Sequence, residues 1–189
     1  MIRTTFGSPT KAYLAAHGYA VWWPLLPNTD NPELTETRGF AERNLPAIDE
    51  ETIVIAHSSG CPLALHLLER LAAPVKQAIL VAGFYQPIGD DSSTNRMLPP
   101  SFDWAHIAEM ATEIILINSD NDPWGCTDEQ ARPATEALGA PLIVATGQGH
   151  MGSDSYGQPY REFPLLKRLL STRQQQRGHA PIESSLPTP

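Results

Sequence analysis

The chain has 189 residues, a length that suits one domain with a sizeable core. A formal net charge of -8 argues against nucleic acid and anionic membrane as partners. Two cysteines make no disulfide framework, no Cys/His cluster has metal spacing, and no apolar run is long enough to span a bilayer.

Met1-Ile2-Arg3-Thr4-Thr5 lacks the apolar stretch of a signal peptide, so a reducing cytoplasm is expected. Gly7-Ser8-Pro9-Thr10, followed by Lys11 and a run to Gly18, predicts a short capped helix that stops at the glycine. Tyr19-Ala20-Val21-Trp22-Trp23-Pro24 predicts a strand, and residues 25–32 a loop. Residues 33–45 predict a helix, weakened by Gly39. Thr52-Ile53-Val54-Ile55 is uncharged and mostly β-branched, which predicts a buried strand. It runs into a turn of small residues, and Cys61 to Leu68 then predicts a helix with Pro62 in its first turn. Residues 76–84 predict a second buried strand. Residues 85–102 form a long Pro-, Ser- and Asp-rich loop, a length that is usually functional or mobile. A helix over 103–110, a buried strand over 113–118, a helix over 127–138 capped by Thr127 and a strand over 141–145 follow. A helix over 163–170 closes the domain, expected to span residues 1–171. The Gln-, Ser- and Pro-rich remainder, 172–189, is expected to be a disordered tail.

Strands that alternate with helices imply an α/β fold, with a mostly parallel sheet covered on both faces. Functional groups in such sheets lie beyond the C-terminal strand ends. Ser58, Asp122 and His150 each follow a predicted strand, so one sheet edge can hold all three.

The turn Ala56-His57-Ser58-Ser59-Gly60 reads A-x-S-x-G between a strand and a helix. That context exposes the serine, Ser58, and aims the next N–H, that of Ser59, and the helix N-terminus at whatever it attacks. A serine hydroxyl is a weak nucleophile at neutral pH. It needs a base within hydrogen-bond reach, and the base needs an orienting carboxylate. Asp122 and His150 supply these types in the chain order Ser, Asp, His. Asp120 is the alternative acid, and a Gly-flanked histidine such as His150 is often only a surface group. His57, His66 and His106 read as packing, because neighbours point apart on a turn. Trp22, Trp23 and Trp104 read as core or pocket wall. Cys61 opens a helix and could be a reactive thiol, although a buried filler fits it better.

Gly7-Ser8-Pro9, Leu26-Pro27-Asn28-Thr29-Asp30-Asn31-Pro32, His57-Ser58-Ser59-Gly60-Cys61-Pro62-Leu63-Ala64, Val81-Ala82-Gly83-Phe84, Phe102-Asp103-Trp104, Asp120-Asn121-Asp122-Pro123 and Gly149-His150-Met151 together form a specific set. With them the chain resembles the small serine-hydrolase family of the retinoblastoma-binding protein 9 and YdeN type, from about residue 7 to 170. The resemblance implies a three-layer α/β-hydrolase fold, Ser58 as nucleophile, Asp122 as acid, His150 as base and no cofactor. It implies small acyl esters as substrates. Members of that family start with a strand that ends in a His-Gly-type loop, which supplies a second oxyanion-hole N–H. Arg3-Thr4 stands at that place here, so the first strand is expected to be missing or truncated. Thr5 or Phe6 would then supply the N–H. Trp124-Gly125-Cys126 also replaces the apolar-Pro stretch that often follows the acid.

Two functions follow. One is a serine hydrolase that cleaves small carboxylic esters or related acyl substrates. The other is a catalytically impaired hydrolase-fold protein that binds a small molecule or an unspecified protein partner.

Overall fold

Four apolar runs form the centre of the molecule. In the computed structural model, which describes residues 7–89, 95–152 and 163–177, they are β1 (Ile53–His57), β2 (Gln77–Val81), β3 (Ile114–Asn118) and β4 (Leu142–Val144). They pair in sequence order, β1-β2-β3-β4, and every pair is parallel. His57 aligns with Val81, Val81 with Ile117 and Ile117 with Ile143, so the C-terminal strand ends are level.

Alternation along the strands divides the apolar side chains between two faces. Ala56, Ala78, Leu80, Ile114 and Leu116 cluster with Leu65 and Leu68 of α3 (Gly60–Leu68). The same cluster holds Ile107 of α4 (Trp104–Glu109) and Ala131, Ala134 and Leu138 of α5 (Asp128–Leu138). Ile79, Val81, Ile115 and Ile117 point the other way, against Leu14 of α1 (Gly7–Ala16) and Leu166 and Leu170 of α6 (Pro164–Arg177). The result is three layers, helix on sheet on helix, as expected of this strand and helix alternation. β2 and β3 are buried along their whole length, while β1 is half-buried at the edge of the described sheet. The remaining helix, α2 (Leu34–Asn44), reaches α3 through Arg38, whose Nη1 lies 3.5 Å from His66 Nε2.

Local chemistry sets the helix ends. Gly18 takes φ 81° past α1 and Gly139 takes φ 61° past α5, a conformation that favours glycine. Asp103 caps α4 by accepting the His106 N–H at 3.1 Å. Thr127 precedes α5 without a side-chain cap bond. The Asp128 N–H goes to the Ser119 carbonyl instead, at 2.9 Å.

Besides the missing Thr127 cap, three expectations need correction. Residues 19–24 are extended but form no strand. A ladder neighbour, not side-chain propensity, makes a strand, and among the described residues none lies beside them. Tyr19 and Val21 still pack on the α1 and α6 face, whereas Trp22 and Trp23 stand 38% and 40% exposed rather than in the core. The second strand ends at Val81, because Ala82 turns to φ 46° and leads the chain off the sheet. Helix α6 continues to Arg177, into the segment read as a tail, and residues 178–189 lie outside the described residues.

Gly83 sits where that exit crosses the start of α3. A Cβ there would fall on the Tyr85 hydroxyl and 2.8 Å from Cys61 Sγ. Both neighbours are buried, so neither can swing into solvent. Gly83→Ala should cost about 1–3 kcal/mol and lower the Tm by roughly 3–10 °C. An unchanged thermal melt would show that this crossing is looser than described.

Candidate active site

The turn after β1 is tight because Ser58 leaves the strand in the left-handed region, at φ 54°. For a residue with a Cβ this costs roughly 1–2 kcal/mol, so neighbours must hold it. Ser58 N–H donates to the Val81 carbonyl at 2.9 Å, and the Ser58 carbonyl accepts from Cys61 N–H at 2.9 Å. Ser59 is already helical, at φ -59° and ψ -15°, and opens α3. The flanks are small, but a Cβ on Gly60 would stand 3.9 Å from that of Ala56, an ordinary contact, so the turn does not demand glycine there. The strand, sharp turn and helix thus present Ser58 at the C-terminal sheet edge.

The exits of β3 and β4 meet beside it. His150 Nδ1 lies 2.7 Å from Asp122 Oδ2, and both side chains are buried. The other carboxylate oxygen, Oδ1, accepts the Trp124 N–H at 2.8 Å. Asp120, the competing acid, is committed elsewhere, since its Oδ1 accepts the Gly147 N–H at 2.8 Å. Asn121 Oδ1 accepts the Gly149 N–H at 2.8 Å and the Ser119 hydroxyl at 2.6 Å. Gly147 and Gly149 take φ 72° and 54°, which turns their N–H groups back to these acceptors. Trp124, 40% exposed, lies with its ring 6.3 Å from that of His150 and forms a wall of the site. Gly125, at φ 80°, lets that loop fold over Ile88.

His57, read from the sequence as packing, packs on the His150 loop. Its Nε2 donates to the His150 carbonyl at 2.8 Å, and the two rings meet edge to face at 4.8 Å. Burial, followed by the neighbouring His150, pushes its pKa down to about 3. The ring is therefore neutral at ordinary pH, with its proton on Nε2. The signal was strand parity: His57 falls on the face of Ile53 and Ile55, where the His150 loop packs through Met151. Other side chains resolve as fillers. Cys61 is fully buried, and burial pushes its thiol up to about 12, so the helix start does not activate it. His66 faces Arg38 and Glu69, away from the serine turn. Thr5 and Phe6 lie outside the described residues.

The sheet, the serine turn and the histidine–carboxylate pair define an α/β hydrolase. The family profile described as Serine hydrolase matches residues 26–172, and the chain belongs to that family. It is 30% identical over 124 residues to the serine hydrolase RBBP9 of Rattus norvegicus, a match that covers 65% of this chain and 63% of the rat protein. It is 27% identical over 189 residues to the hydrolase YdeN of Bacillus subtilis (strain 168), covering 86% of this chain and 96% of that protein. The crystal structure of the ydeN gene product superposes with a TM-score of 0.81 at 24% identity, over 92% of this chain and 91% of that one. Among the described residues no helix is long and apolar enough to cross a membrane.

The burial of His57 has a pH consequence. Unfolded, the ring takes up a proton near its ordinary value of about 6.5; folded, it does so only near 3. Its contribution to stability is present above pH 6.5 and is lost as pH falls toward 3, because only the unfolded state binds the proton in that window. His57→Gln keeps a donor and removes this proton. Its Tm should fall less than that of the parent between about pH 7 and pH 5. Parallel Tm-against-pH slopes would contradict the neutral assignment.

Proposed function

We propose that the protein cleaves small carboxylic esters, or related acyl substrates, through Ser58, His150 and Asp122. The observation that carries this reading is the buried 2.7 Å bond between His150 and Asp122, linked through His57 to a serine in a left-handed turn. Asp122 holds the proton on Nδ1 of His150, so the ring's lone pair lies on Nε2, the atom that acts as base. His150 Nε2 takes the proton of Ser58 Oγ as that oxygen attacks the substrate carbonyl carbon. The carbonyl oxygen becomes an oxyanion, and the Ser59 N–H at the start of α3 donates to it. In this reading Thr5 gives the second N–H.

The intermediate collapses, the carbon–oxygen bond to the alcohol breaks, and His150 returns the proton to the leaving alcohol. Water then gives a proton to His150 and attacks the acyl-Ser58 carbonyl. Collapse releases the carboxylic acid and restores the serine. Trp124 bounds the mouth of the site and would contact the bound acyl or alcohol part. A cytoplasmic location agrees with two unpaired, buried thiols.

A fluorophosphonate probe should label the folded protein once, and Ser58→Ala should abolish that labelling. On a short-chain p-nitrophenyl ester, Asp122→Asn should lower kcat by about 10⁴ through the wrong histidine tautomer, with a far smaller change in KM. Asp120→Asn should retain most turnover. A folded protein that neither labels nor turns over would favour the binding-module reading.

A further inference from the structure

Cys126 is a potential metal ligand that the ester reaction leaves unused. Its backbone is pinned, because Asn118 Nδ2 donates to its carbonyl at 2.9 Å and to that of Thr127 at 3.2 Å. The residue is buried, and so are Asp122 and His150. One donor atom from each of the three lies within 4.8 Å of the others. Sequence spacing hides this group, since Asp122 and Cys126 come from one loop and His150 from the next.

The donors are a thiol, an imidazole nitrogen and a carboxylate oxygen. Zinc takes these three types at about 2.3, 2.0–2.1 and 2.0–2.2 Å. A tetrahedral centre with such bonds sets its donors roughly 3.3–3.7 Å apart. The 2.7 Å contact between His150 and Asp122 would open by about half an ångström, and the sulfur would close by about 1 Å at most. Side-chain rotation on fixed strand ends can supply both shifts. Charge also balances. Asp122 brings one negative charge and Cys126, once deprotonated, brings a second, which together neutralise a divalent cation in a buried place. Without a cation, burial and then the Asp122 charge hold the thiol well above its usual range, so it stays protonated.

We propose that Asp122, Cys126 and His150 form an inhibitory site for a thiophilic divalent cation, Zn²⁺ or Cd²⁺. Binding releases one proton, that of the thiol. Coordination at the His150 nitrogen that faces Asp122 leaves the single ring proton on the other nitrogen. That nitrogen then has no lone pair with which to accept the Ser58 proton, so turnover stops. Hard cations such as Mg²⁺ do not compete, because sulfur is a poor ligand for them. Metal binding stands on the donor geometry alone, while the effect on turnover rests on the proposed ester reaction.

The test is a titration of the metal-free full chain with Cd²⁺, followed by the ultraviolet cadmium–thiolate charge-transfer band. The expected result is a band that saturates at one Cd²⁺ per chain. It should persist in Cys61→Ser and disappear in Cys126→Ser and Cys126→Ala, with thermal melts confirming that the variants are folded. Zn²⁺ should suppress fluorophosphonate labelling in the parent, and Cys126→Ser should need at least about tenfold more Zn²⁺. No band in the parent, or a band that depends on Cys61, would overturn the site. A Cys126-dependent band with labelling untouched would overturn the inhibition while leaving metal binding in place.

Discussion

Four parallel strands in step are the constraint on which everything else depends. Because His57, Val81, Ile117 and Ile143 lie in one row, the exits of β1, β3 and β4 open at the same height on the same edge. Backbone bonds carry that row outward past the strands. Ser58 N–H reaches Val81, Ala82 N–H reaches Ile117 and Ala145 N–H reaches Asn118. The serine, the acid and the histidine are far apart in the chain and come from three separate exits. The common direction and register of the strands open all three exits on one edge.

The loops beyond that edge lack regular structure, yet they are tied together. Asp120 and Asn121 accept N–H groups from Gly147 and Gly149, and His57 donates to the His150 carbonyl. Each such bond is worth only about 1 kcal/mol net. Together they fix the loop that carries His150 relative to the loop that carries Asp122 and to the serine turn. They also offset the backbone strain at Ser58 and Met151, both left-handed residues with a side chain. In the proposed reaction, a base held in this way would lose little freedom when substrate arrives, which is how positioning lowers a barrier.

Much of this was legible in the sequence. The uncharged β-branched run before Ala56-His57-Ser58-Ser59-Gly60 and the helix signal after it located the turn, and Asp122 and His150 followed the two later strands. Those readings succeed because local patterns report burial and chain reversal. Residues 19–24 show the limit. Aromatic and β-branched side chains favour a strand, but a strand exists only beside a partner, and no local pattern names the partner. His57 was read as packing, as it is, but the sequence could not name what it packs on, a carbonyl 93 residues away. The choice of Asp122 over Asp120 rested on the Asp-Pro pairing and the family resemblance, and it agrees with the bonds each carboxylate makes. Cys126 gave no metal-ligand signal, because one of its two partners, His150, arrives from another loop.

The hydrogen bond from His150 to Asp122, and to no other carboxylate, is what the proposed reaction needs most. Proton NMR of the full chain in water reads this directly, since a buried imidazole N–H shared with a carboxylate at 2.7 Å resonates far downfield. One such resonance is expected, lost in Asp122→Asn and retained in Asp120→Asn. A resonance that survives Asp122→Asn, or that disappears only when Asp120 is changed, would contradict this assignment.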